Sequence, residues 1–213
     1  MPRIAVLDPE LTVSLSKKLT AATGIDAFVH NLEAFLVDDY HPVADAIAKE
    51  GIYKIVKNLP MSVADGENLE ARGEMMLAAS MGAMAFQKGL GLNHSIAHAL
   101  GALFNIHHGL ANAVVLAEVM KFNLGREATA QKLATLGCYF YPQIEKYTGK
   151  AVVEAIESLL KKLKLPRSLS EIGIGSDDLP KIEAYALADP LTALNPRKVA
   201  KGDVIDILKP LIK

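Results

Sequence analysis

Apolar positions recur at helical spacing through most of this chain. They predict helices over 25–37, 42–58, 66–88, 93–104, 108–123, 126–147, 150–163, 177–187 and 202–212. Gly24, Pro42, Pro60, Gly89, Gly109, Gly125, Pro166 and Pro190 punctuate them. Ahead of the helices, Ile4 to Leu7 form a short apolar run closed by Asp8-Pro9, which predicts a buried strand entering a turn. A lone strand needs a neighbour, and no second strand is legible, so its partner is expected to lie in a piece the sequence does not contain. Between Ala71 and Phe86 the chain is loaded with Ala, Ser, Gly and Met, small or adaptable side chains that let helices approach closely. This stretch is expected to be a central core helix. No Pro/Ser-rich linker and no solenoid-length repeat is present, so the expected fold is all-α, one helical domain over residues 1–213 with the short N-terminal strand attached.

Composition excludes several partners. With 213 residues, 51% hydrophobic and 22% charged, the chain can bury a real core. Its net charge is -1, and 23 basic and 24 acidic residues are spread along it, so no basic field for nucleic acid or anionic lipid arises. No apolar stretch approaches the roughly 20 residues a membrane helix needs, and no export signal opens the chain. Cys138 is the only cysteine; thiolate clusters and internal disulfides are excluded, and a cytoplasmic setting fits.

Any metal site must therefore use nitrogen and oxygen, and the histidines are placed for it. The six lie at 30, 41, 94, 98, 107 and 108. His94 and His98 are four residues apart and share a helix face, as do Asp26 and His30. Around the latter pair the helix GIDAFVHNLEAFLV is apolar almost all round, so Asp26, His30 and Glu33 make a narrow polar stripe on an otherwise buried element. Burying a carboxylate and an imidazole unpartnered costs several kcal/mol, which a shared cation removes. Two such stripes face to face would make a cage suited to Fe2+ or Zn2+ rather than to the oxygen-seeking Mg2+ or Ca2+.

The segment GLGLNHSIAHALGALFNIHHGLANAVVLAEVMKFN resembles the signature of the iron-containing (group III) alcohol dehydrogenases. LDPELTVSLSKKLTAATGIDAFVHNLEAF resembles the first metal segment of that family, and NPRKVAKGDVIDILKPLI its C-terminal helix. The resemblance runs from about Arg3 to the end. It implies the helical half of the dehydroquinate synthase-like fold, with Asp26, His30, His94 and His108 as metal ligands and His98 beside nicotinamide and substrate, a relay for the departing proton. It implies an NAD(P)-dependent alcohol dehydrogenase using Fe2+ or Zn2+ to oxidise a small alcohol to an aldehyde or ketone. Intact members begin with an α/β nucleotide-binding half. Here GLGLNH lacks the third glycine of a dinucleotide fingerprint and follows a helix, while Gly149-Lys150 lacks the upstream glycine of a Walker loop. That half is thus expected to be absent, and activity to await it. Further copies of this chain, or a separate nucleotide-binding half, are the expected protein partners.

Two positions depart from the family. His107 stands where proline usually precedes the last ligand, costing a rigid turn and offering a competing imidazole; Ala117-Glu118 replaces a common Pro-His near the cleft. Gly109 is expected to supply backbone freedom beside His108. Plainer roles stand beside the chemical ones: His98 as a donor orienting His94 or water, Glu33 as acceptor for a ligand imidazole. His41 is expected in an exposed turn, and His107 in either a solvent-facing or a functional role. Met75, Met76, Met81 and Met84 are read as core filler and Cys138 as a small buried residue. Two other function classes stay open, a non-catalytic metal- or partner-binding module and a metal hydrolase. The hydrolase is weakened by the lack of HExxH and of a His-Asp dyad adjacent in sequence.

Overall fold

The computed structural model describes residues 3–212, and among them every regular element is helical. Ten α-helices follow one another: α1 Lys17–Leu36, α2 Pro42–Ala64, α3 Leu69–Ala85, α4 Leu92–Phe104, α5 His108–Asn123, α6 Glu127–Ala134, α7 Gly137–Phe140, α8 Gly149–Lys162, α9 Leu179–Ala188 and α10 Asp203–Leu208. Local chemistry sets their ends. Ser16, Asn68 and Thr148 cap α1, α3 and α8 by accepting from Leu19, Ala71 and Ala151 N–H. Exposed His41 does the same for α2, its Nδ1 3.1 Å from Ala44 N ahead of Pro42. Asn105 stops α4 in the left-handed conformation at φ 55°.

Helix α1 is buried over most of its length and packs on α2, α3 and α5, while α4 lies between α5 and α9. The core runs through Phe28, Leu32, Ile52, Ile96, Leu100, Leu116 and Met120. This arrangement aims the polar stripe of α1 at α4 and at the start of α5.

Several expectations need correction. The predicted strand does not form: residues 4–8 have no regular structure, and Ile4 and Val6 are each 82% exposed. With no neighbouring strand among the described residues, its N–H and C=O groups have nothing to pair with and remain in water. Helix α3 is a flank, not the centre. Leu77 and Met84 are exposed, and its small residues serve the seam with α1, where a Cβ on Gly82 would stand 3.0 Å from His30 Cβ. Met75 packs on the core, but Met84 is no filler. Cys138 is exposed.

Helix α1 starts at Lys17 and runs through Gly24, which is needed for contact and not for punctuation: a Cβ there would lie 2.3 Å from Leu59 Cδ1. Packing on α1 and α3 carries α2 past Pro60, outweighing one lost backbone bond in the last turns. The single helix predicted over 126–147 breaks into α6, α7 and an irregular stretch. Pro142 disfavours helix at Tyr141, and Tyr147 folds back on Gly137, where a Cβ would meet its ring at 2.1 Å.

One ion pair locks the start of α2. Lys88, its side chain fully enclosed, donates to Asp45 Oδ1 at 2.6 Å. Asp45→Ala strands that ammonium and is expected to lower the unfolding free energy in urea by about 3 kcal/mol. A loss under about 0.5 kcal/mol, the size of an ordinary surface change, would mean the lysine finds water instead.

Candidate metal centre

Asp26 and His30 project from α1, His94 from the first turn of α4, and His108 opens α5. One donor atom from each lies within 4.8 Å of all the others. The His30 and His94 rings stack at 4.7 Å between centroids, and His94 and His108 are 5.5 Å apart. Asp26 Oδ1 is 3.8 Å from His94 Nε2 and 3.4 Å from His108 Nε2. Burial first, and then His94 beside it, push His30 down to about 4 against the pull of Asp26; burial also lowers His108. Both shifts favour the neutral imidazole, which has a lone pair to offer.

The donor set fits a divalent first-row cation, and one atom shows it best. His94 Nε2 is buried without a hydrogen-bond partner, a state that costs about 1–3 kcal/mol unless something accepts its lone pair. Its other nitrogen is taken: Nδ1 lies 2.7 Å from Glu33 Oε2. A carboxylate that also accepts Asn93 and His94 N–H can only accept, so Nδ1 carries the proton and Nε2 the lone pair. One carboxylate and three imidazoles suit iron or zinc.

Sequence reasoning passed over three residues here. Asn112 Nδ2 donates to Asp26 Oδ1 at 2.6 Å and lies 3.2 Å from His108 Nε2. Asn93 Nδ2 holds Asn112 through its Oδ1 at 2.7 Å. Asp189, beyond α9, receives His98 Nδ1 at 2.7 Å. Asn112 could have been found from its i+4 spacing to His108; Asp189, 91 residues from His98, left no such signal.

His98 stands beside the four donors, its ring stacked 5.6 Å from that of His108. Exposed His107 precedes α5 and borders a separate cavity with Ser16, Leu19 and Leu110, outside the four-donor group. Glu118 is engaged by Lys121, which also reaches Glu157 on α8. Gly109 corrects an expectation, since it is not among the positive-φ residues. Its missing side chain matters because a Cβ would lie 2.3 Å from the Ala22 carbonyl oxygen.

This chain, with its helical fold, belongs to the Fe-containing alcohol dehydrogenase family: the family's C-terminal sequence model matches residues 20–212. The chain is 36% identical over 212 residues to the 4-hydroxybutyrate dehydrogenase of Cupriavidus necator, covering 95% of this chain and 54% of that protein. It is 35% identical over 213 residues to the NAD-dependent methanol dehydrogenase of Bacillus methanolicus, covering 98% and 55%. The crystal structure of a 1,3-propanediol oxidoreductase superposes with a TM-score of 0.92 at 35% identity, over 96% of this chain and 55% of that one. The chain thus spans about half the length of the curated relatives it matches. Among the described residues no helix is long and apolar enough to cross a membrane.

Proposed function

We propose that this chain is the metal-binding half of an NAD(P)-dependent alcohol dehydrogenase that interconverts a small alcohol with its aldehyde or ketone. The observation that carries the reading is the unpartnered, buried His94 Nε2 at the meeting point of Asp26, His30 and His108. These four residues would hold Fe2+ or Zn2+. Such an ion supplies Lewis-acid polarisation of an alcohol or carbonyl oxygen, and a nicotinamide supplies the hydride exchange.

The rest is work for the chain's own side chains. Asn112 steadies Asp26 by a hydrogen bond at 2.6 Å. Asp189 accepts from His98 Nδ1, which leaves Nε2 free to take a proton from the substrate hydroxyl or return one. The His98 side chain, 40% exposed, is open to solvent. Residues 1–213 act as one helical domain in a cytoplasmic enzyme. Hydride transfer requires a nucleotide-binding half, from a separate chain or a longer polypeptide, and further copies of this chain are compatible partners.

Elemental analysis of the purified chain is expected to find about one Fe or Zn per chain. NAD(P)H formation from a short alcohol is expected only when a nucleotide-binding half is supplied. Ester hydrolysis with no nicotinamide requirement would overturn the dehydrogenase reading in favour of a metal hydrolase.

A further inference from the structure

Helix α4 has an uncapped beginning by its own sequence, because its N-cap is Gly91. Other elements serve its first N–H groups: Asn195 Oδ1 is 3.3 Å from Leu92 N, Glu33 Oε1 2.8 Å from Asn93 N and Glu33 Oε2 3.2 Å from His94 N. Glu33 is 3% exposed, and the same Oε2 lies 2.7 Å from His94 Nδ1. Gly91 leaves the room for this, since a Cβ there would stand 2.9 Å from Glu33 Oε1. A single carboxylate, three residues beyond His30 on α1, therefore seats the start of α4 and grips the imidazole that start carries.

We infer that Glu33 is a positioning residue that sets the tautomer and aim of His94 before any cation arrives, so that the fold itself preorganises the centre. The inference rests on the reading of the four donors as a metal site. Its chemistry follows from what each oxygen can do. Both are acceptors, so the His94 backbone N–H and Nδ1–H converge on Oε2, and Nε2 is left as a bare lone pair beside Asp26. A glutamine of the same shape has one acceptor and one donor end. With the NH2 end toward His94, Nδ1 must accept, which moves the ring proton to Nε2 and turns an N–H toward the other donors. With the amide reversed, Nδ1 keeps its proton but the NH2 end faces Asn93 N–H, so that orientation gives up the bond that seats the start of α4.

Glu33→Gln tests this with Zn2+ alone as probe, by chelator competition and by long-range 1H–15N NMR of the histidine rings in the metal-free chain. The expected results are a 10–100-fold weaker Zn2+ affinity and a His94 ring no longer held as the single Nδ1–H tautomer. Asn195→Ala removes the neighbouring cap on Leu92 without touching His94, and is expected to lower stability while leaving Zn2+ affinity and the tautomer unchanged. Unchanged affinity and tautomer in Glu33→Gln would overturn the inference. So would an equal affinity loss in Asn195→Ala, which would reduce Glu33 to a general cap. If the unsubstituted chain takes up no Zn2+, the metal reading fails, while the tautomer in the metal-free chain still decides the role of Glu33.

Discussion

His94→Ala is expected to leave the chain with only trace metal after desalting, against about one ion per chain without the substitution. His94 is the hub of the donor set: it stacks on His30 at 4.7 Å, faces His108 at 5.5 Å and brings Nε2 to 3.8 Å from Asp26 Oδ1. Alanine removes that lone pair, and no other group is placed to substitute, since His98 and His107 both lie outside the four-donor cluster. The fold is expected to survive. Alanine keeps the backbone N–H groups of 93 and 94 on Glu33, and the lost ring carried an unsatisfied nitrogen whose removal offsets part of the packing cost. His107→Ala is the matched control and should keep its metal. Stoichiometric metal in the His94 variant would move the centre elsewhere.

A stability loss as large as that of Asp45→Ala is expected from a single methyl group. A Cβ on residue 109 would lie 2.3 Å from the carbonyl oxygen and 2.6 Å from the carbonyl carbon of Ala22. Both are backbone atoms of buried α1, which cannot swing aside as a side chain can. Gly109→Ala must push α5 off α1, and about 3 kcal/mol of unfolding free energy should be lost, the upper end for overpacking. His108 is the adjacent residue, so metal occupancy should fall with it. Gly173→Ala provides the contrast: its φ of 82° strains an alanine, but nothing lies within 4 Å of the new atom. A cost of about 1–2 kcal/mol from conformation alone, with metal retained, is expected there. Equal losses in the two variants by urea unfolding would show that conformation, not the α1–α5 approach, governs Gly109.

Gly109 also shows where sequence reading stops. Its presence next to a ligand suggested backbone freedom, yet the backbone there is ordinary helix and the demand comes from a carbonyl 87 positions away. The apolar run Ile4 to Leu7 reads as a strand by composition, but a strand exists only where a second one completes its hydrogen bonds. Helix α3 looked central because small residues and methionines suit close packing; only part of them, Ala78, Gly82 and Ala85 included, is buried, while Leu77, Ala79, Ala83 and Met84 face outward. In each case the pattern was compatible with two environments, and the choice between them was made by distant chain.

Within a helix no such choice arises. A rotation of about 100° per residue puts Asp26 with His30, and His94 with His98, on common faces whatever else the chain does. Most of the helical segments, though not the one expected over 126–147, the two polar stripes and the nitrogen and oxygen character of the site were therefore determined by the sequence alone, with the family resemblance picking out the four residues. What only the tertiary structure decided is every relation between helices. Glu33 reaches His94 across 61 positions, Asn112 reaches Asp26 across 86, and His98 finds Asp189 across 91. Those meetings depend on how α1, α4 and α5 cross. Side-chain packing and the glycine contacts at 24, 82, 91 and 109 set those crossings, and no spacing along the chain encodes them.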